Sequence, residues 1–269
     1  MSTSLVESVW AFAHAASWFP GWVVFQIAAV LLGGALVLRE GGHRLVVPYA
    51  LGVLLAALGA VALGNGGEWA RWLSGPRTGP LPEVEIAGFG ALFGLLVGHV
   101  AGARTRRVSM ARALDALAPS IGIMIAVARV GCFFAGCDFG RPTRVPWALS
   151  YPAMTPAFRA QLDAGLVHAT ASQTLPVHPT QLYEASIGLV VLAATLRMRA
   201  PRREGDRFVL AALLYAAGRI VVDVFRGDLA RAGTFGLTVT QGLALALIGA
   251  VIAWALGRDR SGPSRAAAP

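Results

Sequence analysis

Seven apolar stretches dominate this chain and restrict what it can fold into. They run roughly over 19–38, 45–64, 84–103, 113–135, 181–198, 207–226 and 235–257. The hydrocarbon slab of a bilayer is about 30 Å thick, and a helix needs about 20 apolar residues to cross it. No water in the slab bonds exposed N–H and C=O groups, so each crossing segment satisfies its own backbone as a helix. The reading is an all-α, polytopic integral membrane protein of about seven transmembrane helices. Composition agrees. The chain is 56% hydrophobic and 14% charged, against roughly 25% charged for soluble domains. Its 269 residues suit a single membrane domain over 1–260, followed by a disordered tail over 261–269.

Charge placement sets a direction. Arg39 and Arg44, Arg104, Arg106, Arg107 and Arg112, Arg197, Arg199, Arg202, Arg203 and Arg207, and Arg258, Arg260 and Arg265 fall on one side of the apolar runs. The opposite loops carry Arg71, Arg77, Arg141, Arg144, Arg159, Arg226 and Arg231, mixed with acids. Positive loops stay in the cytoplasm, so the C-terminus is expected there and the N-terminus outside. The net charge of +9 therefore belongs to short connecting loops and does not suggest nucleic acid. Residues 1–17 lack a basic leader region, and Glu7 interrupts their apolar stretch, so no cleavable signal peptide is expected. An amphipathic surface helix with Val6, Val9, Trp10 and Ala13 on one stripe is expected instead. The longest outer loop, 136–180, is too long to be a mere connector and is expected to fold over a lipid cavity.

Two arginines lie inside apolar runs, Arg129 within 120–135 and Arg219 within 208–225. A charge at that depth costs roughly 2.5–3.5 kcal/mol even on insertion scales, so it is seldom retained without a partner or a task. Two such positives point to an anion held within the membrane, and lipid phosphate is the available one. Three segments gather polar groups at the outer helix ends. The first runs from Ala128 to Thr143 and contains Arg129, Gly131, Cys132, Cys137, Asp138, Gly140 and Arg141. Its glycines Gly131, Gly136 and Gly140 permit a broken backbone beside a cavity. The second is His178-Pro179-Thr180-Gln181-Leu182-Tyr183-Glu184, with proline suited to a first helical turn. In the third, Tyr215, Arg219, Asp223 and Arg226 share one helical face by their spacing of four, four and three.

Each of these residues also has a plainer role. Glu184 and Asp223 are able to neutralise the arginines with no ligand present. His178 suits a helix cap, Tyr183 and Tyr215 suit an interfacial belt, and Arg226 suits a helix-end residue reaching for water. His14, His43, His99 and His168 are taken as incidental.

The three segments resemble the prolipoprotein diacylglyceryl transferases over roughly residues 85–257. The match rests on Arg129, Gly131, Phe133, Gly136, Gly140 and Arg141, then His178 through Glu184, then Tyr215, Arg219, Asp223, Phe225 and Arg226. The resemblance implies an enzyme of the bacterial cytoplasmic (inner) membrane. It would move diacylglyceryl from phosphatidylglycerol to the lipobox cysteine of a lipoprotein precursor and release glycerol 1-phosphate, using neither cofactor nor metal. Arg129 and Arg219 are then expected to clamp the leaving phosphate, with His178 as the base for the thiol. Gly131, Cys132, Gly140, Arg141, Gln181, Tyr183, Glu184, Tyr215, Asp223 and Arg226 are expected to line the substrate. The chain departs from the family at four places. Cys132 stands for an asparagine and Cys137 for a glutamate. Phe89-Gly90-Ala91 stands where a His-Gly-Gly is usual, and Pro20-Gly21-Trp22 lies near the place of a Tyr-Gly. A different acceptor for the same lipid, or a non-catalytic lipid-binding role, are the competing readings.

Cys132 and Cys137 admit packing, a disulfide or a reactive thiol, and as metal ligands with Asp138 and His178 they lack a recognised spacing. Positions five apart on a regular helix lie about 140° around the axis, so a disulfide requires the helix to break near Gly136.

Overall fold

The computed structural model describes residues 21–74, 88–198, 201–227 and 236–260. Eight helices are present there. They are α1 (Gly21–Gly41), α2 (Val46–Ser74), α3 (Gly88–Thr105), α4 (Met110–Ala135), the short α5 (Pro156–Asp163), α6 (Thr180–Arg197), α7 (Asp206–Asp223) and α8 (Val239–Arg260). A 3-10 turn over His43–Leu45 joins α1 to α2. Only isolated β-bridges occur among the described residues, so the all-α expectation stands. The amphipathic helix read at 1–17, the tail 261–269 and the side chain of Phe89 lie outside the described residues.

Among the described residues, four helices are long and apolar enough to cross a bilayer: Val23–Gly41, His43–Ala62, Met110–Ala135 and Val239–Arg258. This is a membrane protein by its apolar helices. The helices α3, α6 and α7 coincide with the remaining apolar runs of the sequence. Two of these carry the charges of the site, Glu184 on α6 and Arg219 and Asp223 on α7, which lowers their mean hydropathy.

The chain divides into two compact units, one of residues 33–120 and 200–208, the other of 1–32, 121–199 and 209–269. In the first, α2 and α3 pack backbone to backbone. Gly90, Gly94, Gly98 and Gly102 recur every four residues on α3 and so form one stripe. A Cβ on Gly98 would stand 2.7 Å from the Gly52 Cα, and one on Gly102 would stand 2.7 Å from the Pro48 Cα. In a lipid solvent apolar burial between helices drives little, and small residues stabilise contact by letting backbones approach. Asp115 completes this unit by accepting from the N–H groups of Gly205 (2.7 Å) and Phe208 (3.0 Å), which satisfies orphan donors at the start of α7.

In the second unit the same device joins α4 and α6. A Cβ on Gly122 would lie 2.5 Å from the Leu192 nitrogen, and one on Gly188 would lie 2.7 Å from the Gly122 oxygen. The long loop after α4 is folded, as its length implied. It encloses a small core of Phe139, Tyr151, Ala157 and Val177. Thr155 caps α5 by accepting from the Phe158 N–H, and Pro156 follows in the first turn.

Candidate active site

Three segments distant in sequence are stitched together by main-chain hydrogen bonds at the base of this loop. The Gly140 N–H donates to the His178 carbonyl (3.1 Å), and the His178 N–H returns to Arg141 (3.2 Å). The Arg141 N–H donates to Phe225 (2.8 Å), and the Gly227 N–H to Phe139 (3.0 Å). Gly140 is required by this approach, since a Cβ there would collide with the His178 carbonyl oxygen.

That stitching aligns a chain of alternating charges. Arg226 donates to Asp138 Oδ1 at 2.6 Å, and Asp138 Oδ2 receives Arg129. Arg129 Nε lies 2.6 Å from Glu184 Oε2, and Glu184 Oε1 receives Arg219. Arg219 NH2 then lies 2.9 Å from Asp223 Oδ1, whose other oxygen accepts from Thr238 (2.9 Å) and Thr240. Three guanidiniums face three carboxylates, so the chain as a whole is neutral. Arg219 is 4% exposed, Glu184 and Asp223 are 1% exposed each. Removing one member of such a buried set leaves an uncompensated charge in a low dielectric. Burial alone would push the Asp138 carboxyl up, but Arg129, Arg226 and Arg219 outweigh it and hold it well below the usual carboxylate range.

Each predicted site residue can be placed against this chain. Arg129, Arg219, Glu184, Asp223 and Arg226 are its members. Tyr215 stands one turn before Arg219 on α7 and shares the field of Arg129, Arg219 and Glu184. Gln181 is fully buried and donates to the Cys137 carbonyl at 2.5 Å. Gly131 admits the side chain of Phe25 on α1, whose Cβ would be 2.7 Å from an added methyl. Arg141 makes no ion pair among the described residues, and its NH2 is buried without a hydrogen-bond partner.

His178 stands outside the ionic chain. Its Nδ1 is 3.2 Å from the Tyr183 hydroxyl, which also accepts from Trp147 Nε1 at 2.6 Å, and its ring packs against Phe225 with centroids 5.0 Å apart. Burial, and then the positive charge of Arg141, lower its pKa.

Sequence reading missed Asp138 as the link between Arg129 and Arg226. A carboxylate just after an apolar helix, two residues beyond a glycine, was the available signal. It also missed Thr238 and Thr240, ordinary helix-start residues that become informative only once Asp223 is seen to be buried beside them.

The Cys132, Cys137 and Asp138 ligand atoms lie within 4.8 Å of one another, the one grouping of metal-binding residue types among those described. Both Asp138 oxygens are already engaged by arginines.

Comparison with known proteins agrees with this geometry. The sequence profile of the family described as prolipoprotein diacylglyceryl transferase matches residues 46–256. A protein named phosphatidylglycerol--prolipoprotein diacylglyceryl transferase from Gloeobacter violaceus is 30% identical over 88% of this chain and 88% of its own length. One of the same name from Rhodospirillum rubrum is 32% identical over 73% of this chain and 67% of its own length. The match to the Clostridium tetani protein of that name, 26% identical, spans about half (51%) of that relative. The resemblance read from the sequence is therefore borne out, together with the transferase class that it implied. The chain belongs to the prolipoprotein diacylglyceryl transferase family.

Proposed function

We propose that this protein transfers the diacylglyceryl group of phosphatidylglycerol to the cysteine thiol of a lipoprotein precursor. The glycerol C–O bond at the phosphate breaks, a C–S bond forms, and glycerol 1-phosphate leaves. The observation that carries this reading is the convergence of Arg129 and Arg219 on Glu184 within a buried ionic chain.

The chemistry needs fixed cations where negative charge grows on the departing phosphate. Pre-aligned donors in a low dielectric are worth far more there than in water. Arg129 engages acids through Nε and NH1, which leaves its NH2 donors for a ligand. Arg141, with its unpaired NH2, supplies a further cation. The acids hold the guanidiniums in place before the lipid arrives, so little reorganisation is required as the bond breaks. Asp138, Glu184 and Asp223 are in this view positioning residues. His178 takes the thiol proton. It is kept neutral by burial and by Arg141, and its Nε2 is left for the substrate while Nδ1 faces Tyr183.

The same reading gives one membrane domain over 1–260 with seven spans. Its N-terminus lies outside, its C-terminus in the cytoplasm of a bacterial inner membrane, and the 136–180 loop covers the lipid site. The test is mass spectrometry of a lipobox peptide incubated with the purified protein and phosphatidylglycerol. The peptide is expected to gain one diacylglyceryl unit on its cysteine. An unmodified peptide, under conditions where the Gloeobacter violaceus relative modifies it, rejects the reading.

A further inference from the structure

The last turn of α4 brings together two thiols that stand outside the ionic chain. Gly136 has φ 72° and returns its N–H to the Cys132 carbonyl at 3.0 Å. A left-handed residue at this place ends a helix and swings the following residue back over the final turn. Cys137 therefore leaves the position it would have in a continuous helix. Its Sγ comes to 3.8 Å from the Cys132 carbonyl oxygen, and the two sulfurs lie within 4.8 Å. The Cys137 main chain is fixed from the other side by Gln181. The next residue, Asp138, is itself left-handed at φ 56° and carries the link between Arg129 and Arg226.

We propose that Cys132 and Cys137 are a covalent modification site, closing to a disulfide that staples the end of α4 to the turn presenting Asp138. The oxidant is a disulfide, of a small molecule or a protein. The Cys132 sulfur, 3.9 Å from Arg129 NH1, attacks it as thiolate and forms a mixed disulfide. Cys137 then displaces the remaining half. One S–S bond breaks and one forms, two electrons pass to the oxidant, and the two thiol protons leave with its two thiols. The product carries no charge, so the balance of the ionic chain is unchanged while the turn loses freedom. A bound metal is the rival use of the same sulfurs. It is disfavoured because Asp138 is committed to Arg129 and Arg226, and those guanidiniums repel a cation.

The test uses the full chain in detergent, exposed to oxidised glutathione and then denatured in N-ethylmaleimide. The peptide carrying both cysteines is expected to take no label before reduction and two labels after it. The thermal midpoint of the oxidised protein is expected to fall by about 3 °C on adding dithiothreitol, and to stay fixed in Cys132→Ala/Cys137→Ala. Two labels without reduction, a lasting glutathione adduct on either cysteine, or zinc co-purifying in equal amount with the chain overturns the proposal. None of these readouts needs transfer activity, so a failed transfer assay leaves them standing.

Discussion

Arg129 and Arg219 meet on one carboxylate. Glu184 receives Arg219 on Oε1 and stands 2.6 Å from Arg129 Nε on Oε2. One arginine from α4 and one from α7 are thereby bridged by a single carboxylate on α6, which ties the three helices together, while Asp138 and Asp223 complete the charge balance. The plainer reading of the arginines, neutralisation by Glu184 and Asp223, and the functional one are thus compatible: the acids hold what the phosphate is proposed to meet.

Arg219→Ala should abolish transfer and also weaken the fold. It leaves Glu184 short of one partner and Asp223 without its cation, both 1% exposed, a loss on the order of 3–5 kcal/mol. Arg219→Lys keeps the charge but loses the two-pronged grip, so it should restore the thermal midpoint more fully than the rate. Arg39, whose side chain is 73% exposed, serves as the control, and its alanine variant should match the wild type in both measurements. Equal recovery of rate and midpoint by the lysine variant would argue against a geometric role.

Glu184→Gln removes the shared charge at constant shape. The two guanidiniums then repel each other, and phosphate binding becomes stronger while alignment worsens. The KM for phosphatidylglycerol should fall or hold, and kcat should drop by about 10²-fold. A raised KM with kcat intact would place Glu184 outside this role.

The depressed pKa of His178 fixes the sign of one pH dependence. Its folded form binds a proton less readily than the unfolded chain, because of burial and then Arg141. Stability is therefore retained above the unfolded value, about 6.5, and lost as pH falls from there through the folded value. The rate should follow the neutral imidazole, with an acidic limb centred below 6.5 and a plateau above it. His178→Gln should lower the plateau by roughly 10²–10⁴-fold and erase that limb. A limb unchanged in the glutamine variant would exclude His178 as the base.

Gly140→Ala tests the stitching rather than the charges. The added methyl meets the His178 carbonyl oxygen, so the loop cannot close on α6 without a backbone shift. The expected result is a large fall in rate and faster proteolysis within 136–180. Wild-type behaviour would show that the junction tolerates displacement.

Much of this was legible before any coordinates. Apolar run length marks α1, α2, α4 and α8 because about twenty residues with so few charges have few other uses. The spacing of Tyr215, Arg219, Asp223 and Arg226 gave one face directly, since helical period alone decides it. The pairing within the site was less accessible. Asp138 reaches Arg226 only because two left-handed residues, Gly136 and Asp138, turn the chain after α4, and such turns leave little trace in composition. The glycine stripe on α3 has a four-residue period, but only the structure shows which helix it meets. Gly90, next to the position of Phe89, belongs to the packing against α2.

The most direct measurement is the release of glycerol phosphate from headgroup-labelled phosphatidylglycerol by the purified wild-type protein, with and without a lipobox peptide, beside Arg129→Ala. The account expects peptide-dependent release by the wild type, one glycerol phosphate for each thioether formed, and none by the variant. Release that ignores the peptide, or that survives loss of Arg129, would contradict it.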